Sequence, residues 1–228
     1  MINKMYLLFR NFTIRQKYHT VKKHTVKKHT PGKNIIDYGC GTGTLLKSFA
    51  KKNWKTLGFE LDKNARQIAT SRNQLTVYPP EQFYTLKKGS FDAIMLWHVL
   101  EHVHDVHELL AHMHEILVHK GVLFIAVPNI SSWDSAYYGP FWAALDVPRH
   151  LYHFNHEAIH HLLTQHGFAR QKIKPLRLDA FYISLLSEKY KYGHANLPRA
   201  FMTGLISNMK ASTGNKNFSS NLYIYSKT

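Results

Sequence analysis

The segment Ile35-Ile36-Asp37-Tyr38-Gly39-Cys40-Gly41-Thr42-Gly43 constrains this 228-residue chain more than any other. A short apolar strand, Asn34–Tyr38, runs into three glycines, and Thr44–Lys52 then reads as a helix. Glycines between a strand and a helix let the backbone approach a ligand closely. Their spacing excludes two common phosphate sites. A dinucleotide fingerprint needs its third glycine at position 44, which is Thr here, and no Gly-Lys-Ser/Thr follows to form a P-loop. Asp37, two residues before the first glycine, would repel a pyrophosphate and suits a ligand with positive groups.

The chain beyond this turn alternates between two periodicities. Thr56–Glu60 reads as a second strand, and Asp62 caps a helix running to about Arg72. Thr76–Tyr78 is a third strand, ended by Pro79-Pro80. Phe91–Trp97 is a continuous apolar run, as a buried parallel strand requires. Asp105 and Glu108 are spaced as a capping box before a stripe of Val106, Leu109, Leu110, Met113, Ile116 and Leu117. Gly121–Val127 is a fifth strand. Such alternation predicts a doubly wound parallel sheet. After Pro128 the pattern breaks, and 129–154 is aromatic and irregular, as functional loops often are. Asn155 caps a helix ended by Gly167. Lys172–Leu178 and Asn221–Tyr225 read as strands, with helical stretches near 180–190 and 198–210 between them.

Glu60 closes the second strand, 23 residues beyond Asp37. A carboxylate there can accept both hydroxyls of a ribose. S-adenosylmethionine carries an ammonium and a sulfonium and no phosphate, so it matches this pair of acids. At these residues the chain resembles the class I S-adenosylmethionine-dependent methyltransferases, whose turn reads D-x-G-x-G-x-G with an acid ending strand two. The likeness covers roughly 34–178. Phe91-Asp92-Ala93-Ile94 resembles the family's fourth strand, and Lys120-Gly121-Val122-Leu123 its turn into strand five. Trp97-His98-Val99-Leu100-Glu101-His102-Val103, Ala126-Val127-Pro128-Asn129, Pro148-Arg149-His150-Leu151 and His153-Phe154 resemble the ubiquinone-biosynthesis subgroup, which acts on small molecules.

The resemblance implies an α/β, Rossmann-like seven-stranded sheet whose antiparallel seventh strand is Asn221–Tyr225, beside Lys172–Leu178. The expected parts are a basic helix and connector at 1–33 and a methyltransferase domain at 34–228. Within that domain, 129–154 would be a substrate loop and 179–216 a helical insertion or lid. Carried over residue by residue, the cofactor site would comprise Asp37, Gly39, Cys40, Gly41, Thr42, Gly43, Glu60, Leu61 and Trp97. Asp37 would bind the methionine amino group, Glu60 the ribose, and Leu61 the adenine. The Trp97 ring would face the sulfonium or serve the core. The family's acid near the adenine has no clear counterpart; Tyr78-Pro79-Pro80-Glu81 stands there instead.

Methyl transfer is an in-line displacement, and a hydroxyl acceptor needs a base. An imidazole titrating near neutrality suits that role, which nominates His98 and His102 as catalytic residues. With Glu101 they form H-x-x-E-H. Those positions share one face of a helical turn and could hold one metal. The ubiquinone-type relatives carry E-x-x-E-H here, associated with a divalent metal. His98 replaces the first Glu, so no metal site is assigned; structural hydrogen bonding is the other use of these residues. In the loop, Trp133, Tyr137, Tyr138, Phe141 and Trp142 could wall an acceptor pocket. Arg149, His150 and Tyr152, with Asp146 and His153, would add polar groups. The competing expectation is a self-packed loop with Arg149 paired to Asp146.

Charge is distributed unevenly. Thirty Lys and Arg face fourteen Asp and Glu, a net +16. Residues 1–33 hold nine Lys and Arg and no acid, and 171–228 hold nine against Asp179 and Glu188. The middle is balanced. Ile2, Tyr6, Phe9 and Thr13 with Lys4, Arg10 and Arg15 suggest a basic amphipathic helix before a repeated Val-Lys-Lys-His-Thr at 21–25 and 26–30. That flank either packs on the domain or meets acidic lipid or nucleic acid. Of seventeen histidines, seven lie in 98–119 and six in 150–166, mostly outside the apolar stripes. Cys40 is the sole cysteine, which excludes internal disulfides. No apolar run approaches a membrane span. The expected function is S-adenosylmethionine-dependent methyl transfer to a small-molecule or lipid-linked acceptor, through oxygen, in the cytoplasm. A peripheral contact with the inner membrane face is the expected docking. The alternatives are an RNA methyltransferase using the basic flanks, against which no RNA-binding module is found, and a non-catalytic S-adenosylmethionine-binding partner protein.

Overall fold

A computed structural model describes residues 2–26 and 33–228, with side chains described for 11–25 and from Lys33 onward. The helix α1 (Ile2–Val26) precedes β1 (Asn34–Tyr38), α2 (Thr44–Ala50), β2 (Lys55–Phe59), α3 (Lys63–Ser71), β3 (Val77–Tyr78) and β4 (Phe91–Trp97). Then come α4 (Val106–Ile116), β5 (Leu117–Pro128), α5 (Trp133–Tyr138), α6 (His156–Gln165), β6 (Phe168–Pro175), α7 (Asp179–Tyr192), α8 (Leu197–Thr213) and β7 (Ser220–Lys227). The side chains of Ile2, Lys4, Tyr6, Phe9 and Arg10, and the second Val-Lys-Lys-His-Thr copy, lie outside the described residues.

The seven strands form one sheet in the order β3-β2-β1-β4-β5-β7-β6. β1 to β5 are parallel, and β7 runs antiparallel between β5 and β6. This is the Rossmann-like sheet expected from the sequence. Strand alternation divides the core. Ile36, Ile94, Leu96, Leu123 and Ile125 face α4 and α6. Ile35, Ala93, Met95, Phe124 and Ile224 face the layer of α1, α2 and α3. Within α1, Tyr18 and Val21 are buried, and Tyr18 packs 4.9 Å from the Phe49 ring.

The predicted caps form as hydrogen bonds. Asp62 accepts from the Ala65 N–H, Asp105 from Glu108 and Asn155 from Ala158. β6 differs from expectation, starting at Phe168 rather than Lys172 and ending at Pro175. It is an edge strand, and Arg170, Gln171 and Lys172 stand exposed on it. Charged edge strands lack the apolar alternation that marks a strand in sequence.

Strand order reverses between β1 and β4, which opens a crevice at their carboxyl ends. Gly39 lies there with φ +78°, and a Cβ on it would stand 2.3 Å from Val99 Cγ2. Gly39→Ala should therefore cost about 1–2 kcal/mol in backbone conformation and about 1–3 kcal/mol in overpacking. A thermal melt should show a midpoint lowered by roughly 5–15 °C, and an unchanged midpoint would contradict the packing described.

Candidate functional site

The glycine turn is fastened to β2. Gly39 and Cys40 donate backbone hydrogen bonds to the Phe59 carbonyl, at 2.7 and 3.0 Å. The Glu60 carboxylate accepts from the Gly41 N–H at 2.7 Å and from the Asp62 N–H at 2.9 Å. Gly41 has open space where a Cβ would lie, with nothing within 4 Å. The Thr42 carbonyl accepts from the Asn73 amide at 2.7 Å, and Gly43 caps α2. Cys40 is buried against Gly58, and burial pushes its thiol up. Leu61 projects from the rim, 76% exposed. Gly39, Cys40, Gly41 and Glu60 are thereby tied together at the carboxyl ends of β1 and β2.

Asp37 is buried at the end of β1. Burial raises its pKa to about 7, with Lys17 opposing and Glu60 adding to the rise. Lys17 reaches in from α1, and its Nζ lies 4.1 Å from the centroid of the Trp97 ring. Burial lowers the Lys17 pKa, while Asp179 and Asp37 pull it back up. Trp97 Nε1 is buried with no hydrogen-bond partner. The Lys17 ammonium thus sits on an aromatic face within the field of a buried carboxylate. Asp37 and the Trp97 face are groups that accept a cation, and the cationic methionine end of S-adenosylmethionine fits them where it takes the place of that ammonium. In sequence Lys17 is an ordinary lysine of a basic helix, and nothing local marks it.

A cleft of about 520 Å³ adjoins this point. His98, Glu101, Arg149, His150 and Asp179 contribute its polar wall, and α7 its apolar one. His98 holds a left-handed conformation, φ +56°, at the end of β4. Non-glycine residues adopt it at a cost and cluster at functional sites. Its Nε2 lies 3.1 Å from Asp179 Oδ2 and its Nδ1 3.6 Å from Glu101 Oε1. Burial disfavours the charged ring, but the two carboxylates outweigh it and raise the pKa to about 9. Burial would raise the Asp179 pKa, yet His98 holds it below the usual value.

Glu101 is 1% exposed and neither carboxylate oxygen has a hydrogen-bond partner. His150 Nδ1 lies 2.8 Å from the Ala144 carbonyl, and His102 Nδ1 lies 3.0 Å from the Arg149 carbonyl. A carbonyl only accepts, so each Nδ1 carries a proton; His150 Nε2 lies 3.8 Å from Asp146 Oδ2. Burial lowers the His150 pKa, which keeps that ring neutral. One ligand atom from each of Glu101, His102 and His150 lies within 4.8 Å of the others, a grouping that could receive a divalent cation. His150 lies 48 residues beyond His102, so this grouping is not visible in H-x-x-E-H.

The aromatic loop is corrected. Tyr138 and Trp142 do not wall the cleft; both are buried with Ile183 in a separate cluster. The Tyr138 hydroxyl donates to Glu188, and Trp142 Nε1 donates to Asp134 at 2.8 Å. Tyr152 also lies outside the cleft: its hydroxyl donates to the His104 carbonyl and its ring stacks on Phe154. Buried polar groups in the loop need partners, and these hydroxyl and indole groups supply them. Arg149 pairs with Asp146 at 2.6 Å, as the self-packed alternative expects, yet both residues line the cleft.

Two measurements check these charges. A cationic ligand binds the ionised form of Asp37, so affinity for S-adenosylmethionine should rise with pH through about 7. Below that value it should fall by about tenfold per pH unit, with proton release seen by calorimetry. Lys17→Met should move this dependence to higher pH, because Lys17 lowers the Asp37 pKa. Separately, Asp179→Asn should lower the His98 pKa, read by NMR titration of the ring. The raised pKa of His98 contributes stability in full below its unfolded value and loses it as pH rises through about 9. The difference in stability between the two proteins should therefore narrow in that window.

Known proteins resemble this chain in sequence and in fold. The family model described as a methyltransferase domain matches residues 11–172. A ubiquinone biosynthesis O-methyltransferase of Sodalis glossinidius is 29% identical over 132 residues, which are 52% of this chain and 51% of that protein. The chain thus spans about half the length of that curated relative. A SAM-dependent methyltransferase from Archaeoglobus fulgidus superposes with a TM-score of 0.62 at 17% identity, covering 97% of this chain and 99% of that one. Phosphoethanolamine N-methyltransferase 2 of Haemonchus contortus, solved with S-adenosyl-L-methionine, gives 0.61 at 18% identity over 93% of this chain and 52% of that one. The chain belongs to the methyltransferase-domain family and has the fold of the class I S-adenosylmethionine-dependent methyltransferases.

Proposed function

We propose that this protein transfers a methyl group from S-adenosylmethionine to a hydroxyl of a small or lipid-linked acceptor. The carrying observation is the polar wall of the cleft, where His150, its Nδ1 held by the Ala144 carbonyl and its Nε2 3.8 Å from Asp146 Oδ2, stands with the buried Glu101 carboxylate that faces His98. S-adenosylmethionine, when bound, supplies the activated methyl group and the leaving group. Asp37 and Trp97 hold its cationic end, and Glu60 its ribose, while the glycine turn gives close backbone approach. The acceptor lies in the cleft against Leu178, Tyr182 and Ile183 of the α7 side. A volume of about 520 Å³ is within the range of small-molecule sites.

His150 takes the proton of the acceptor hydroxyl. This moves the base from His98 and His102, the residues nominated from sequence. His98 is held cationic at neutral pH, which suits it to steady negative charge developing on the acceptor oxygen. His102 is exposed and is not part of the cleft wall. The reading keeps 34–228 as the methyltransferase domain, with 129–154 contributing Asp146, Arg149 and His150 to the acceptor side. The O-methyltransferase name of the ubiquinone-biosynthesis relatives supports an oxygen acceptor. A second reading rests on the Glu101, His102 and His150 grouping: these residues would hold a divalent cation that polarises the acceptor oxygen.

His150→Asn should lower kcat by about 10²–10⁴-fold and leave cofactor affinity unchanged by calorimetry. The rate of the parent should rise with pH below the usual histidine value and fall as His98 loses its proton near 9. Activity that survives a chelator keeps the base reading. Activity lost to the chelator and restored by added Zn²⁺ or Mg²⁺ supports the metal one. An undiminished rate for His150→Asn with cofactor and acceptor bound would overturn both.

A further inference from the structure

α7 and α8 are built the wrong way round for helices in water. α8 buries Ala200, Thr203, Gly204, Ser207, Asn208 and Ala211. Its outer face carries Leu197, Phe201, Met202 and Met209 at 67, 57, 50 and 59% exposure, with Leu205 beside them. α7 buries Ala180, Ser184, Ser187 and Glu188 with a single large apolar residue, Ile183, and exposes Tyr182 and Tyr190. A surface helix ordinarily does the reverse. Small residues let the two helices approach closely: a Cβ on Gly204 would lie 2.8–3.1 Å from Phe181 atoms. Small-residue interfaces with large apolar side chains turned outward mark helices that pack in lipid. Phe181 and Phe201 stack at 5.3 Å and join the two outer faces into one patch. Exposed apolar patches of this kind mark interaction sites.

The charges identify the occupant. The segment 179–216 has Lys189, Lys191, Arg199, Lys210 and Lys216 against Asp179 and Glu188. Both acids are turned inward and neutralised, Asp179 by His98 and Glu188 by Arg199. Of the lysines left without such a partner, Lys191 and Lys210 lie among aromatic rings. Lys191 lies over Tyr137 and Tyr192, and Lys210 lies 4.7 Å over Trp133. An apolar face with a Lys/Arg and Tyr/Trp border is the pattern of a segment lying in a bilayer interface. A second copy of the chain would bring the same positive rim against itself. No helix among the described residues is long and apolar enough to cross a membrane.

We infer that the outer face of α7 and α8 docks flat on an anionic bilayer. Tyr182 and Tyr190 belong to both the exposed surface and the cleft wall, so the mouth of the cleft opens beside the docked face. Given the proposed methyl transfer, on which this use of the cleft rests, an acceptor carried on a lipid would enter without leaving the membrane. The basic flank 1–33 was expected either to pack on the domain or to meet acidic lipid or nucleic acid; Tyr18 and Val21 pack on the domain, and α7 and α8 carry an exposed apolar face.

The test is co-sedimentation of the full chain with phosphatidylglycerol–phosphatidylcholine vesicles and with phosphatidylcholine vesicles. Binding is expected to the anionic vesicles, weakened at least tenfold by Leu197→Asp/Phe201→Asp/Met209→Asp and weakened by Lys189→Glu/Lys210→Glu. Leu197 and Met209 are mostly exposed, while Phe201 loses its ring contact with Phe181 and Lys210 its place over Trp133, so the thermal midpoint should fall by only about a few degrees and S-adenosylmethionine affinity should match the parent. Absence of binding to anionic vesicles, or equal binding by the triple variant, overturns the inference. So does a concentration-dependent dimer in sedimentation that the triple variant abolishes while vesicle binding persists. Vesicle binding that depends on the patch in a protein without methyl transfer leaves the docking in place and refutes the proposed activity alone.

Discussion

Asp37, Glu101 and Asp179 are carboxylates drawn toward the carboxyl ends of β1 and β4, and Lys17 and His98 stand among them with opposite charge. Burying a charge is expensive unless a partner compensates it. The partners come from distant parts of the chain: residue 17 from the first helix, residue 98 from the end of a central strand, residue 179 from the start of α7. Their attraction therefore couples the docking of α1 and α7 to the crevice where the ligand binds. The balance is incomplete. Asp37 keeps a pKa of about 7 despite Lys17, and the buried Glu101 carboxylate meets His98 only at 3.6 Å. Both acids hold unused capacity for a cation or a hydroxyl, and that unmet demand is the chemical content of the site.

A second buried polar set explains the odd faces of α7 and α8. Asp134 in the loop after β5 accepts from Trp142, Ser207 and Ser219. Glu188 accepts from Tyr138 and pairs with Arg199, and Ser187 accepts from the Ala143 N–H. A loop buried between helices must satisfy its polar groups from those helices. α7 and α8 meet that demand by turning Ser, Thr, Asn and Glu inward. Nothing in that demand requires Phe201 or Met202 on the outside, where polar residues would be more soluble. The outward face therefore calls for an apolar environment of its own. The same packing holds Arg149 and His150 against the cleft, so loop order and site geometry are one construction.

The legible parts were those whose signal is local in the chain. Ile35-Ile36 followed by Asp37 and three glycines placed β1, the turn and α2; Asp62, Asp105 and Asn155 marked helix starts because capping acts within three residues. Phe91–Trp97 declared a buried strand by apolarity alone. The edge strand β6 was misplaced because its exposed side carries Arg170 and Lys172. Tyr138, Trp142 and Tyr152 look in sequence like an aromatic pocket, since an aromatic ring reads the same whether it lines a cleft or fills a core. His98 and Glu101 were found as neighbours in H-x-x-E-H. Asp179, which sets the protonation of His98, lies 81 residues away and was invisible.

By itself the sequence determined the strand order's raw material, the cationic preference of the glycine turn and the cofactor class it fits, because periodicity, capping and backbone approach are short-range properties. Only the tertiary structure decided which titratable groups share a cleft, which histidine nitrogens meet a carbonyl, and that α8 shows its apolar side to the outside. Those outcomes depend on through-space proximity and on burial, which are set by how elements pack across the sheet and not by the residues that precede or follow in the chain.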